Sequence, residues 1–267
     1  MAGTDRSRRG EGAAGGPRVI LVEPQLGENI GAAARAMLNC GLTEMALVAP
    51  REAWPNLAAY AMASGADEVL DSAQLFDSVE AAVADLEHVY ASSARPRDMK
   101  MRVMTARHAA GELRRQFAAG RKIGILFGPE RSGLTNDHMA LAEAVITVPL
   151  NPAYASLNLG QAVLVLAYEW FQSDDATPPE DLPMHNTRPA TQAEIEAFFV
   201  RLEDALDKGG FFRAHDLRPT MARNLRNLFQ RANMTEQEVR TMHGALSALT
   251  GSWRDTLNQR RARGEID

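Results

Sequence analysis

The sequence predicts an α/β domain on a mostly parallel sheet, followed by a small all-helical domain. Three observations predict it. Short apolar, β-rich runs alternate with helix-period segments as far as residue 172. An acidic stretch carrying Pro178, Pro179, Pro183 and Pro189 then breaks the pattern. Two capping boxes with helical apolar stripes follow it.

Taken in order, residues 1–17 are rich in Gly, Ala and Arg, lack periodicity and read as a disordered tail. Residues 19–22, 45–48, 89–91, 123–127 and 145–148 read as short buried strands, with a weaker candidate at 69–70. Helical patterns cover 30–39, with Asn29 as its N-cap, then 57–63, 79–85, 106–119, 137–142 and 158–172. Strands alternating with helices of this length imply βαβ units over 18–173, with ligands expected at the carboxyl ends of the strands. Residues 174–190 form the linker. The box Thr191-Gln-Ala-Glu194 opens a helix with the stripe Ile195, Phe198, Phe199, Leu202, Leu206. Met221, Leu225, Leu228 and Phe229 mark a second helix, and Thr235-Glu-Gln-Glu238 opens a third that stops near Gly251. The helical domain spans 191–258 and residues 259–267 form a tail.

Of the 267 residues, 45% are apolar and 24% charged, an ordinary globular composition. The lone Cys40 excludes an intramolecular disulfide and a cysteine-based zinc site, and fits a reducing compartment. No apolar run reaches the length of a membrane span, and the first eighteen residues lack the apolar segment of a secretory signal. The net charge of −5, taken as a total, argues against a nucleic-acid partner. Its distribution argues the other way. Eight carboxylates and no Lys or Arg lie between Glu52 and Ala94. From Arg95 to Lys122 the balance is +7, and from Arg213 to Arg231 it is +4. Such blocks are either solvated helix faces or a polyanion footprint.

The familiar nucleotide and hydrolase signatures are missing. There is no G-x-G-x-x-G, Gly128-Pro-Glu-Arg-Ser-Gly133 is not followed by Lys-Ser/Thr, and Ser156 sits in no G-x-S-x-G elbow. No metal-ligand spacing occurs among the six histidines. Three post-strand loops stand out instead. The first runs from Glu23 to Arg35, with Gly31 and Arg35 on one helix face and small residues that permit close approach. The second, Phe127 to Thr135, is a shaped turn in which Glu130 and Arg131 read equally well as an exposed ion pair. The third, Val148 to Leu159, presents Tyr154, Ser156 and Asn158 ahead of a long apolar helix whose stripe Leu159, Val163, Leu166, Trp170 reads as core.

Together the loops carry Asn-x-Gly-x-x-x-Arg (Asn29, Gly31, Arg35), Phe-Gly-x-Glu-x-x-Gly-Leu (Phe127 to Leu134) and Asn-Pro-x-Tyr-x-Ser-Leu-Asn-Leu (Asn151 to Leu159). In this order and spacing they resemble the three motifs of the SPOUT RNA 2′-O-methyltransferases. Within that class the chain is most similar to the TrmJ-type tRNA (cytidine/uridine) ribose methyltransferases, which act at position 32 of the anticodon loop. Ser92-Ser-Ala-Arg95 and Gly209-Gly-Phe-Phe212 carry that closer match. Ala155, where a second serine is common, and Pro129, where relatives carry a charge, depart from it.

The resemblance implies a trefoil knot at the end of the α/β domain, a cytoplasmic homodimer with its site at the subunit interface, and S-adenosylmethionine as cofactor, with no metal. It implies cofactor contacts from Ser92, Ser93, Ala94, Gly128, Val148, Ala155, Ser156 and Leu157. Arg35, Ser156, Asn29, Glu130 and Asn158 would be the catalytic group, and Arg95, Arg97, Arg213, Arg223 and Arg226 would hold RNA. A dimer would also turn the stripe Leu159, Val163, Leu166, Trp170 toward a partner. The alternatives are an rRNA 2′-O-methyltransferase of the same class and an inactive RNA-binding protein of this fold.

Overall fold

The computed structural model describes residues 15–93, 100–180, 183–184, 186–212, 217–251 and 263. The proposed tails at 1–17 and 259–267 therefore lie almost wholly outside the described residues. The chain forms two units, Met1–Thr177 and Pro178–Asp267, dividing inside the predicted linker.

The first unit runs β1 (Arg18–Val22), α1 (Gly27–Asn39), β2 (Met45–Val48), α2 (Leu57–Ala63), α3 (Asp67–Asp71), β3 (Gln74–Phe76), α4 (Val79–Val83) and β4 (His88–Ser92). It continues through β5 (Arg102–Thr105), α5 (Ala106–Ala118), β6 (Ile123–Phe127), α6 (Asn136–Ala140), β7 (Ala144–Thr147) and α7 (Leu159–Gln172). The strands form one sheet in the order β3-β2-β1-β6-β4-β7-β5, and every pairing is parallel. Both faces are covered, so β1, β2 and β6 are buried along their whole length and read as unbroken apolar runs. One face packs on α1, α2, α5 and α7, the other on α4, α6 and Leu134.

Two strands were not expected. β3 and β5 are the sheet edges; in β5 only Met104 is buried, so neither has the apolar run of a central strand. The predicted strand at 69–70 is a correction. Val69 and Leu70 lie in α3, whose first turn carries Asp67 and Glu68, where the positive end of the helix dipole favours carboxylates. The N-cap of α1 is a second correction: the helix starts at Gly27, its N-cap Leu26 makes no side-chain bond, and Asn29 lies in the first turn.

The helix α1 is pinned by close approach. A Cβ on Gly31 would stand 2.1 Å from the Ala59 carbonyl oxygen of α2, and one on Gly160 of α7 would stand 2.7 Å from Ala32 Cβ. The expected stripe Leu159, Val163, Leu166, Trp170 lies in the chain's own core, which corrects the reading that turned it toward a partner. At the end of α7 the Arg114 guanidinium lies 3.5 Å from the Trp170 ring centroid and donates to the Trp170 carbonyl at 2.6 Å, while Phe117 meets the same ring edge-on. At the start of β1, buried Arg18 is bidentate to Asp85 and donates to Glu44, which holds the Asp85 carboxyl well below the usual carboxylate range. Burial pushes the Cys40 thiol up to about 11.

The second unit holds α8 (Gln192–Lys208), α9 (Arg218–Gln230) and α10 (Glu236–Leu249). Both expected capping boxes form, at Thr191 with Glu194 and at Thr235 with Glu238. The core is Ile195, Phe198, Phe199 and Leu202 against Met234, Val239 and Leu246. No helix among the described residues is long and apolar enough to cross a membrane.

Gly31→Ala should lower stability by roughly 1–3 kcal/mol, because the backbone of α2 cannot yield as a side chain would. Thermal unfolding checks this, and an unchanged midpoint would contradict the close approach. The Glu194 carboxyl, held at about 2 by Arg188 and by the Thr191 amide and hydroxyl, makes a second prediction. Its folded pKa is depressed, so its stabilisation is present above the unfolded pKa and is lost as pH falls toward 2. In urea titrations, the wild-type advantage over Glu194→Gln should therefore shrink between about pH 5 and pH 2; a constant difference would show that the charge is immaterial.

Candidate active site

Because all strands are parallel, the loops after β1, β2, β4, β6 and β7 emerge at one end of the sheet. The chain leaves β1 and β2 through Glu23 and Ala49, both in the left-handed region with φ of 46° and 41°. Glu23 N donates to the Val48 carbonyl and Ala49 N to the Phe76 carbonyl, which hold these turns in place.

The loops after β1 and β6 are joined by one carboxylate. Glu130 accepts from Gln25 N at 3.0 Å and from Asn29 Nδ2 at 2.6 Å. Glu130 and Arg131 are therefore not an ion pair, which closes that alternative. A parallel clamp comes from the loop after β2, where Glu52 accepts from Gly27 N at 3.0 Å and from Asn56 Nδ2 at 2.8 Å. The loop after β6 closes on itself through Gly133 N to the Pro129 carbonyl at 2.8 Å, so tightly that a Cβ on Gly128 would stand 2.3 Å from Leu134 N.

Between the loops after β4, β6 and β7 lies a cavity of about 380 Å³. Ser92, Ser93, Gly128, Val148, Ala155, Ser156 and Leu157, all expected at the cofactor, line it; Ala94 lies outside the described residues. The lining also includes Glu130, expected in the catalytic group, and Phe127, Pro129, Arg131 to Leu134, Leu150, Leu159 and Ala162, which sequence reasoning did not assign. Those positions follow from one expectation it did hold, that post-strand loops line the site. Polar serine hydroxyls and leucine side chains share the wall, as a ligand with both polar and apolar parts requires.

Of the expected catalytic group, Ser156 and Glu130 line this cavity, and Asn29 touches it through Glu130. Asn158 caps α7, accepting from Gln161 N at 2.7 Å, so only its amide nitrogen is free to donate outward. Arg35 is exposed on α1, does not line the cavity and, among the described residues, makes no ion pair or side-chain hydrogen bond.

The basic block before residue 122 is largely neutralised. Arg102 pairs with Glu112, Arg107 with Glu169, Arg114 with Asp174, Arg121 with Glu87 and Lys122 with Asp85. In the second unit Arg226 is held by Glu196 and Glu203 at 2.7 and 2.6 Å and lies over the Phe199 ring. Arg223 reaches only its own helix, at Pro219 and Thr220. Arg95, Arg97 and Arg213 lie outside the described residues.

A parallel sheet with a cavity at its carboxyl edge, bordered by the second and third motifs and tied to the first through Asn29 and Glu130, defines a methyltransferase of the SPOUT class. The chain belongs to the SpoU rRNA Methylase family, whose model matches residues 16–168. The model for the tRNA methyltransferase TrmJ C-terminal domain matches residues 193–264. The chain is 34% identical over 238 residues to the tRNA (cytidine/uridine/adenosine-2′-O-)-methyltransferase TrmJ of Pseudomonas aeruginosa, covering 86% of this chain and 92% of that one. It is 35% identical over 239 residues to the tRNA (cytidine/uridine-2′-O-)-methyltransferase TrmJ of Cronobacter sakazakii, covering 88% and 96%. Among solved structures, TrmJ from Z. mobilis ZM4 superposes with a TM-score of 0.77 at 49% identity, covering 88% of this chain and 99% of that chain.

Glu130→Gln should loosen the loop after β1, since the amide lacks the carboxylate's charge and puts an NH2 donor where the second acceptor oxygen stood. A hydrogen bond to a charged group contributes about 1.5–3 kcal/mol. Exchange of the Gln25 amide with deuterium should accelerate tenfold or more, and unchanged protection would place the restraint elsewhere.

Proposed function

We propose that the protein is an S-adenosylmethionine-dependent tRNA ribose 2′-O-methyltransferase that acts on the pyrimidine at position 32 of the anticodon loop. One observation carries the reading: seven residues assigned to the cofactor from the motifs alone line a single cavity. The match of residues 193–264 to a tRNA methyltransferase domain favours tRNA over rRNA. The preserved motif residues Asn29, Arg35, Glu130, Ser156 and Asn158 favour an active enzyme over an inactive binder. A trefoil knot, in which the segment after β7 is threaded, belongs to the proposal, as does a cytoplasmic location.

S-adenosylmethionine, when bound, supplies a methyl group on a sulfonium that a ribose 2′-hydroxyl can attack. Ser92, Ser93 and the backbone around Gly128, Val148 and Ala155 to Leu157 would hold it. Ser156 and the free amide of Asn158 orient the ribose, and Glu130 fixes the β1 and β6 loops so that the geometry persists. The Arg35 guanidinium offers donors and no acceptor, so it holds the target phosphate and stabilises charge developing on the hydroxyl oxygen, whose proton passes to solvent water.

Arg35 lies outside the cavity of its own chain, which supports a homodimer whose sites are each completed by a partner. The surface for it is on α7, where Leu164, Tyr168 and Phe171 remain 42%, 53% and 42% exposed at i, i+4 and i+7. In the second unit Arg223 is proposed to hold RNA, while the charge of Arg226 is matched internally.

Incubation with labelled S-adenosylmethionine and bulk tRNA should place label on a ribose 2′-oxygen at position 32, and label confined to rRNA or to base atoms would overturn the reading. Arg35→Ala should cut turnover more than tenfold, about 1.4 kcal/mol of barrier, with calorimetric cofactor affinity nearly intact.

A further inference from the structure

Two cations at the carboxyl end of the sheet have no role in the reading above, although one of them, Arg131, borders the cavity. Arg51 follows β2 and Arg131 follows β6, the two strands that flank β1. Each stands beside a glutamate, in the mirrored orders Arg51-Glu52 and Glu130-Arg131. Both glutamates turn away from their arginine and toward the loop after β1. Glu52 accepts from Gly27 N and Asn56 Nδ2, and Glu130 accepts from Gln25 N and Asn29 Nδ2. Arg51 and Arg131 are left exposed, and neither side chain makes a hydrogen bond or ion pair among the described residues.

Exposed Arg35 shares that isolation, but many cations of the first unit do not. Arg102, Arg107, Arg121 and Lys122, exposed to a similar degree, all have carboxylate partners. The backbone that carries the two free cations is nonetheless fixed, through Arg51 N to the Pro24 carbonyl at 3.1 Å and Gly133 N to the Pro129 carbonyl at 2.8 Å. The ends of β2 and β6 are two strand spacings apart, about 10 Å. One short stretch of RNA spans that distance. Arg131 borders the cavity itself.

We infer that Arg51 and Arg131 bind the RNA phosphates that flank the target nucleotide, one on either side of the β1 loop. A guanidinium presents paired donors that match phosphate oxygens, and a polyanion supplies the charge that the two glutamates do not. This inference rests on the proposed RNA methyltransferase activity and adds residues that the motifs do not contain.

The test uses the full chain and tRNA. Dissociation constants are measured across a salt series for wild type, Arg51→Ala, Arg131→Ala, the double variant, and Arg51→Lys with Arg131→Lys. Each lost arginine should lower the slope of log affinity against log salt by about 0.7–0.9, and the lysine variant should restore it. The double variant should bind tRNA about tenfold or more weakly and raise KM for tRNA. In Arg51→Ala, which leaves the cavity wall untouched, kcat at saturating tRNA and calorimetric affinity for S-adenosylmethionine should stay at wild-type values. Arg107→Gln, which removes an exposed cation already paired with Glu169, should leave the slope unchanged. A wild-type slope in the double variant would overturn the inference, as would a loss of cofactor affinity in Arg51→Ala parallel to its loss of RNA binding. Wild-type protein that neither binds nor methylates tRNA would instead remove the proposed function, and this inference with it.

Discussion

Parallel pairing is the constraint on which the rest of the first unit depends. A parallel strand cannot return through a hairpin and needs a crossover, so each strand delivers its following loop to the same edge. Residues a hundred positions apart then meet directly: Asn29 and Glu130 are separated by 101 positions and bonded at 2.6 Å. Once that bond and the one from Glu52 form, the loop after β1 is held from both sides, by a strand neighbour on each. The helix α1 inherits its position from that loop, and the glycine contacts to α2 and α7 fix its depth.

The charges of the chain are arranged twice. Along the sequence they separate into acidic and basic blocks, and folding then lays the blocks against one another. Asp85 and Glu87 of the acidic stretch take up Arg18, Arg121 and Lys122, and in the helical unit Glu196 and Glu203 take up Arg226. Local charge density along the chain therefore overstates the cations available to a polyanion. The informative cation is one whose sequence neighbour is a carboxylate already engaged by backbone amides.

The central strands were legible because burial on both faces leaves an unbroken apolar run, as in β1 and β6. β3 and β5 were not, because an edge strand needs only one apolar face and can carry Gln74 or Arg102 outward. The helices of the second unit were legible through their capping boxes, which are local. The start of α1 was not: its first amide, Gly27 N, is satisfied by Glu52 from a distant loop, Glu130 holds Gln25 N just ahead of it, and the N-cap Leu26 makes no side-chain bond. Asn29, the residue type most expected there, serves the β6 loop instead. The cofactor residues were legible only as motif positions, and their common cavity became visible with the sheet order.

The Arg114–Trp170 stack has a consequence of another kind. The chain has three tryptophans, at 54, 170 and 253. Trp170 is 3% exposed, beneath a guanidinium and edge-on to Phe117, while Trp54 sits near Tyr60 in the loop that follows β2. The indole at 170 thus emits from a dry, charged environment at the last turn of α7, and the indole at 54 from the rim of the sheet. Fluorescence distinguishes the two by wavelength and quencher access, so the native chain carries its own optical reporters, one at the last turn of α7 and one beside the loops at the carboxyl end of the sheet.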